Sequence, residues 1–187
     1  MAGSGLIDIE FNKAQVKEVK RLLSAIPRGY PKAASRAINK TATTIRSKIT
    51  KLVRQFIPLK LKDIRKKIVV MKANKSRLFA RIRVKGGLTP LIAFGARETK
   101  SGVSFKLAGK REKLRHAFIS TMPSGHRGVF ERQIKGGKPV ARLSIDEKFG
   151  PSVLSAYLRK DHHIRVQAAD LLEKYMAAQV KLLLEKK

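Results

Sequence analysis

The residues in this sequence with the clearest potential for chemistry are its cations. Between Arg46 and Gly86, 15 Lys or Arg residues accompany a single acidic residue, Asp63. A run of charge is usually a solvated face, but an excess of this size costs self-repulsion unless an anion lies close by. We therefore predict that this part of the chain faces a polyanion or an acidic partner.

The whole chain has the same bias. It holds 43 Lys or Arg against 13 Asp or Glu, a net charge of +30 and a pI near 11.1. Its 187 residues and 43% hydrophobic content predict one domain over residues 1–187, with a flexible N-terminus at residues 1–9. No apolar run approaches the roughly 20 residues that cross a bilayer, so we expect no membrane partner and synthesis in the cytoplasm.

Catalytic chemistry finds no support in the residue inventory. The chain has no cysteine, and His162 and His163 are adjacent, which places them on different sides of a helix. The carboxylates of Asp146 and Glu147 are neighbours, and the other acidic residues are scattered, so no nucleophile and base can be paired. We predict no catalytic, cofactor-binding or metal site and no cofactor; a basic hydrolase would need an acidic or histidine cluster that the sequence does not supply.

The aromatic residues restrict the kind of polyanion contact. Phe56, Phe94 and Phe118 fall at apolar-periodic positions, which does not favour platforms for base stacking. No helix-turn-helix, zinc-finger or RNA-recognition motif is evident. Any nucleic-acid contact is therefore expected to be nonspecific, salt-sensitive and directed to backbone phosphates.

The elements that must position these cations are helical at both ends of the chain. Apolar residues at helical spacing predict helices over Glu10–Ile26 and Pro31–Phe56, then a short basic helix or turn at Leu59–Lys67. After Pro151 the period is helical again and predicts a long C-terminal helix. Segregation of helices at the ends and strands in the middle is typical of an α+β fold.

The middle of the chain is predicted to form a mainly antiparallel sheet of about six short strands. Leu78–Lys85 alternates apolar and basic residues, as a half-buried strand does, and Leu91–Phe94 and Val103–Leu107 are further strand candidates. Gly95–Gly102 and the strongly basic Gly109–Arg115 are predicted to be loops, the second of them mobile.

One stretch, Ala117 to Val129, has the pattern of a strand, a Pro/Gly turn and a second strand. The turn residues are Pro123, Gly125, His126, Arg127 and Gly128. Their ordinary role is to fix the backbone path, and His126 is first interpreted as a solvated turn histidine. A subunit contact, or a phosphate contact by His126, is the functional alternative.

Several segments carry a family resemblance. Phe118–Arg132, Arg142–Ile145 and Gly150–Val153, together with an earlier helical segment, Ala34–Ala42, closely resemble the prophage minor tail protein Z family, over roughly residues 30 to 180. The resemblance implies a structural protein of a bacteriophage virion and no catalysis. It implies a tail-completion subunit at the head-proximal end of the tail or in the neck, needed for head–tail joining.

The resemblance also implies partners. Such subunits form rings around the DNA channel, here expected to be hexameric, and meet tail terminator or tail tube proteins and head–tail connector proteins. A ring would concentrate the basic segment around the channel, in nonspecific contact with genomic DNA, or against acidic neighbours. We predict that the basic surface consists of three strand residues and four loop residues: Arg81, Arg83, Lys85, Lys110, Arg111, Lys113 and Arg115.

A second class of function is also consistent with the pI. A free basic nucleic-acid-binding protein of ribosomal or nucleoid type would act through the same phosphate contacts. It predicts salt-dependent binding by isolated monomers, whereas the tail protein is expected to form rings and to require neighbouring virion proteins.

Overall fold

The computed structural model of this chain describes residues 4–10, 13–26, 29–135, 138–139 and 144–185. Within them, the helices are α1 Lys13–Leu22, α2 Gly29–Phe56, α3 Leu61–Lys67, α4 Val153–Leu158 and α5 Asp161–Leu184, with a 3₁₀ helix at Leu91–Phe94. The longer strands are β1 Ser4–Ile9, β2 Ile68–Met71, β3 Ala80–Lys85, β5 Arg97–Thr99, β6 Gly102–Leu107, β7 Lys110–Arg115, β8 Ala117–Thr121, β9 Arg127–Arg132 and β12 Ile145–Glu147. Two-residue strands complete the order: β4 Thr89–Pro90, β10 Ile134–Lys135, β11 Lys138–Pro139 and β13 Phe149–Gly150.

This order confirms the α+β class, with helices at the ends and strands between them. The strands form several small antiparallel sheets rather than one central sheet. Three sheets have three strands each, in the orders β1-β3-β2, β5-β6-β7 and β12-β9-β8, and the two-residue strands pair as β4-β13 and β10-β11. Each small sheet therefore presents its own faces and edges.

Helix α2 is the centre of the packing. Its stripe of Ile38, Ile45, Ile49 and Val53 recurs at helical spacing and is fully buried, as an amphipathic helix requires. The most extensive contact between elements joins α2 to α5. The main core adds the inner face of the β1-β3-β2 sheet and the first half of α5, while Leu23 packs with the start of α2 and the end of α5 in a second cluster.

The predicted strand at Leu78–Lys85 is confirmed as β3, beginning at Ala80. Ala80, Ile82 and Val84 are buried, whereas Arg83 and Lys85 are exposed. The predicted helices over Glu10–Ile26 and Pro31–Phe56 correspond to α1 and α2; residues 11–12 lie outside the described residues.

Residues 4–9 differ from the predicted flexible N-terminus, whose residues 1–3 lie outside the described residues. They form β1, which pairs with β3 from Ser4 opposite Lys85 to Ile9 opposite Ala80. Ile7 and Ile9 are 2% and 3% exposed. Burial of these two isoleucines against the core holds the strand in place.

Leu91–Phe94 is a 3₁₀ helix and not the predicted strand. Leu91 and Phe94, three residues apart, are both buried, and a 3₁₀ helix brings such a pair onto one side. Gly95 ends it with φ of 64°, a conformation that glycine adopts without steric cost. A four-residue apolar run has the same composition in either structure, so periodicity could not separate them.

The predicted mobile loop at Gly109–Arg115 is also wrong, because Lys110–Arg115 is strand β7. Part of the other predicted loop, Arg97–Thr99, forms β5. Both strands pair with β6 through backbone hydrogen bonds. Neither has the alternating apolar pattern that identifies a strand from sequence, since Leu114 is the one large apolar residue in the two strands.

Candidate polyanion-binding surfaces and turn

The first predicted basic group lies on the outer face of β3. Arg83 is exposed and sits between Leu6 of β1 and Val69 of β2 in the register of the sheet. These two neighbours are also exposed, at 37% and 43%. The outer face around Arg83 therefore combines a cation with apolar side chains.

Arg81 on the same face is already paired. Its Nε and Nη2 atoms donate to the two carboxylate oxygens of Asp8 at 2.6 and 2.9 Å. The hydrogen bond from Arg81 lowers the pKa of Asp8 below its ordinary value, and burial opposes this only in part. Because Asp8 offsets the charge of Arg81, Arg83 and Lys85 carry the net positive charge of this strand face.

The second predicted group, Lys110 to Arg115, is held by a tight hairpin. Ala108 and Gly109 both have positive φ, at 48° and 82°, the pair of conformations that a type I′ turn needs. The Ala108 N–H donates to the carbonyl of Phe56 at the end of α2, at 3.1 Å. The hairpin is thus attached to the central helix.

The register of the β5-β6-β7 sheet decides which cations share a face. Lys113 lies opposite Ser104, which lies opposite Arg97, and Arg111 lies opposite Lys106. Directly opposite residues in antiparallel strands point to the same face, and residues two apart along a strand do so too. One face therefore carries five exposed cations, which we name the basic sheet face: Arg97, Lys106, Arg111, Lys113 and Arg115.

Three of the four predicted loop cations belong to the basic sheet face. The fourth, Lys110, is offset by one residue and points to the other side. Sequence reasoning missed Arg97 and Lys106. The alternation within Val103–Leu107 could have placed Lys106 on the exposed face of its strand. The position of Arg97 could not be predicted in this way, because its pairing with Ser104 depends on sheet register. Arg81, Arg83 and Lys85 belong to a different sheet.

A basic cavity borders this face. Its volume is about 1140 Å³, and its lining includes Lys100, Lys113, Arg115 and His116, with the carboxylate of Glu98 as the acidic member. Glu98 Oε1 accepts a hydrogen bond from the Ile119 N–H at 2.8 Å. The cavity extends the positive charge of the basic sheet face around the edge of the sheet.

The predicted strand–turn–strand unit is confirmed as β8, a turn and β9. The Met122 N–H donates to the His126 carbonyl at 2.8 Å, and Gly125 has φ of 80°. Phe118 lies opposite Phe130 in the register, with ring centroids 6.2 Å apart. Pro123 is exposed in the turn, whereas Arg127 and Gly128, predicted as turn residues, are the first two residues of β9, with Arg127 exposed.

His126 is fixed more firmly than a solvated turn histidine. Its Nε2 lies 2.9 Å from Glu147 Oε1 on β12, and its ring meets that of Phe130 edge-on at 6.5 Å. About half of its side chain, 49%, remains exposed. The histidine therefore joins the turn to the neighbouring strand while one side stays open to solvent.

The glycine and serine in the later signature segment also have packing roles. A Cβ atom on Gly150 would lie 2.6 Å from the ring of Phe94, so glycine permits that ring to be buried. Ser152 caps α4, because its Oγ accepts from the Ser155 N–H at 3.0 Å. Arg142 and Leu143 of the middle signature segment lie outside the described residues.

The adjacent histidines lie near the start of α5. His162 and His163 are both exposed, and His163 Nε2 lies 2.6 Å from the side-chain nitrogen of Gln167. Across the described ranges, no group of three or more His, Cys, Asp or Glu side chains is placed to hold a metal ion. In the same ranges, no helix is both long enough and apolar enough to span a bilayer.

Comparison with protein families identifies a match. The family model described as prophage minor tail protein Z matches residues 15–186 of this chain. No curated protein and no solved structure matches it.

Proposed function

The chain belongs to the prophage minor tail protein Z family, and from that premise we propose that it completes the head-proximal end of a phage tail. The family makes it a structural component of the tail, and hence of the virion. In the proposed role, copies form a ring, expected to be hexameric, around the path of the DNA at the neck. The ring supports head–tail joining and has no catalytic activity.

The observation that carries the DNA-facing part of this proposal is the basic sheet face. Its five exposed cations lie on adjacent strands, and none of them is in an ion pair within the described residues. Opposite side chains are about 5 Å apart, and those two apart along a strand about 7 Å. A rigid array of this kind suits repeated phosphates without reading base sequence.

The fold holds the cations of the basic sheet face in fixed positions. The hairpin that carries Arg111, Lys113 and Arg115 is hydrogen-bonded along its length and attached at its turn to α2. Cations on a fixed sheet contact a passing polyanion without first being ordered, which lowers the entropic cost of each contact. In a ring, each copy would present the same array to the channel, with tail terminator, tail tube or connector proteins above and below.

The test neutralises the centre of the basic sheet face in a phage that encodes this protein. We expect the K106Q/R111Q/K113Q variant to reduce infectious titre at least tenfold, with heads and tails that form but join or eject DNA poorly. For the purified protein, the slope of log affinity for DNA against log salt should fall by about 3, since each phosphate contact contributes about 0.9. Electron microscopy of particles and salt-dependent DNA binding measure the two effects.

The matched control removes the same charge elsewhere, as K32Q/R36Q/K174Q, from exposed positions on α2 and α5. It should keep titre and salt slope close to the wild type. Normal joining and ejection by the sheet-face variant would overturn the DNA-facing role. A protein that binds DNA as a free monomer and is absent from purified tails would instead favour the basic nucleic-acid-binding protein.

A further inference from the structure

An apolar groove runs between α1 and the last turns of α5. It has a volume of about 690 Å³, and its walls include Val19, Leu22, Met176, Val180 and Leu184. Leu22 and Leu184 are 47% and 46% exposed. Exposed apolar residues gathered in one groove, rather than scattered singly, are characteristic of a contact site.

The rim of this α1–α5 groove has the opposite charge to the rest of the chain. Glu18, Glu173 and Glu185 line it, and the one cation among the described lining residues, Lys181, lies 3.8 Å from Glu185, so the carboxylates are in excess. The chain as a whole has more than three cations for every acid. The groove is therefore a poor site for DNA and a favourable one for an apolar group flanked by cations.

The chain itself carries such a group, at the turn between β3 and β4. Leu88 is 68% exposed, more than any other large apolar side chain among the described residues. Lys85, three residues earlier, is exposed, and Lys67 Nζ lies 3.6 Å from where a Cβ atom would stand on Gly87. An exposed apolar side chain that follows Gly87, where the Lys67 ammonium lies, and comes three residues after Lys85 complements an apolar groove with carboxylates at its rim.

We infer that the α1–α5 groove receives the Leu88 turn of a second copy of this chain. The groove and the turn are different surfaces, so the contact is head-to-tail, and repetition of such a contact gives a ring when the rotation closes. The inference rests on the proposed function in one respect, since it supplies the subunit contact of the proposed ring. It also explains how copies with a net charge of +30 associate, because the contact brings the carboxylates of the groove rim close to Lys67 and Lys85 of the second copy.

The test is a charge exchange on the purified full-length chain, followed by sedimentation or native mass spectrometry over a range of concentrations. E18K/E185K and K67E/K85E should each weaken association at least tenfold, because each places like charges across the contact. Combining all four substitutions should restore most of the lost affinity, a coupling expected only for groups that meet. L88S should weaken association without changing any charge.

The matched control is D170K, which reverses an exposed carboxylate on α5 outside the groove and should leave association unchanged. Thermal unfolding of every variant separates loss of contact from loss of fold. Association that is insensitive to both reversed pairs, or no recovery on combining them, would overturn the inference while leaving the tail assignment in place. A wild-type chain that stays monomeric, with groove variants that still block tail assembly, would assign the groove to another virion protein and overturn self-contact.

Discussion

At the scale of single residues, Gly125 in the β8–β9 turn and Gly128 at the start of β9 are needed for different reasons. A Cβ atom on Gly128 would lie 2.9 Å from both Glu147 Oε1 and Phe130 Cζ, so this position is limited by space. Gly125 has open space around it but a φ of 80°. Together they support the fold-forming interpretation of the turn, and a subunit contact through His126 and Arg127 stays a prediction.

The space limit at Gly128 predicts a measurable loss of stability. We expect Gly128→Ala to lower the free energy of unfolding by about 1–3 kcal/mol, the usual cost of forcing extra volume into a packed site. Gly125→Ala, which strains only the backbone, should cost about 1–2 kcal/mol. Urea unfolding measures both. Unchanged stability in the Gly128→Ala chain would contradict the close packing around Gly128.

At the scale of elements, Asn39 joins α2 to the segment that follows β2. Its side-chain nitrogen donates to the Ala73 carbonyl at 2.9 Å, and its oxygen accepts from the Ala73 N–H at 2.8 Å. Ala73 is 7% exposed, so its backbone groups have little access to water. The Asn39 amide therefore pairs with both the N–H and the carbonyl of Ala73, as the backbone of a neighbouring strand would.

Loss of this amide should weaken the attachment of the β2–β3 connection to the central helix. We expect Asn39→Ala to lower the free energy of unfolding by about 1–3 kcal/mol, because the Ala73 N–H and carbonyl are left without partners. Gln55→Ala, at an exposed site of the same helix, should change it by less than about 0.5 kcal/mol. Chemical denaturation and hydrogen exchange of the Ala73 amide test this; protection of that amide in the Asn39→Ala chain would contradict it.

The small residues of the same helical segment have a packing role. Ala34 and Ala37 are fully buried in the cluster that includes Met176, Val180 and Leu183 of α5. Short side chains let two helices approach closely. The segment that carries part of the family resemblance is therefore explained by helix packing and by one backbone-binding amide.

At the scale of the whole molecule, the excess of positive charge destabilises the folded state. The six ion pairs of the described residues all have exposed or partly exposed side chains, and such pairs contribute little. Repulsion among the excess cations of a +30 chain is the larger effect. Salt should therefore stabilise this protein.

We expect the unfolding midpoint to rise by about 2 °C or more between 0.02 and 0.3 M sodium chloride, as screening shortens from roughly 20 to 6 Å. The K106Q/R111Q/K113Q chain has less repulsion to screen and should show a smaller rise. Differential scanning calorimetry of dilute protein measures both. A midpoint that falls with salt would mean that ion pairs outweigh repulsion among the cations, contrary to this expectation.

Local patterns of the sequence were sufficient to predict the helices and strands that bury one face, because the spacing of apolar residues within one segment reveals them. The stripe of Ile38, Ile45 and Ile49 predicts α2, and the alternation of Ala80, Ile82 and Val84 predicts β3, because burial of one face imposes its period on the chain. The Pro/Gly turn after β8 and the excess of cations are equally visible. Signature segments at both ends of the strand region were sufficient to identify the family.

Only the tertiary structure decided which distant residues meet. Strand β7 has almost no apolar alternation, and it is a strand because β6 pairs with it; β1 is held by burial against α2 and α5. Arg97 and Lys113 share a face through Ser104, a relation set by register and not by any spacing along the chain. Pairing, register and the groove between α1 and α5 arise from contacts between separated segments, and a periodicity read within one segment carries no information about them.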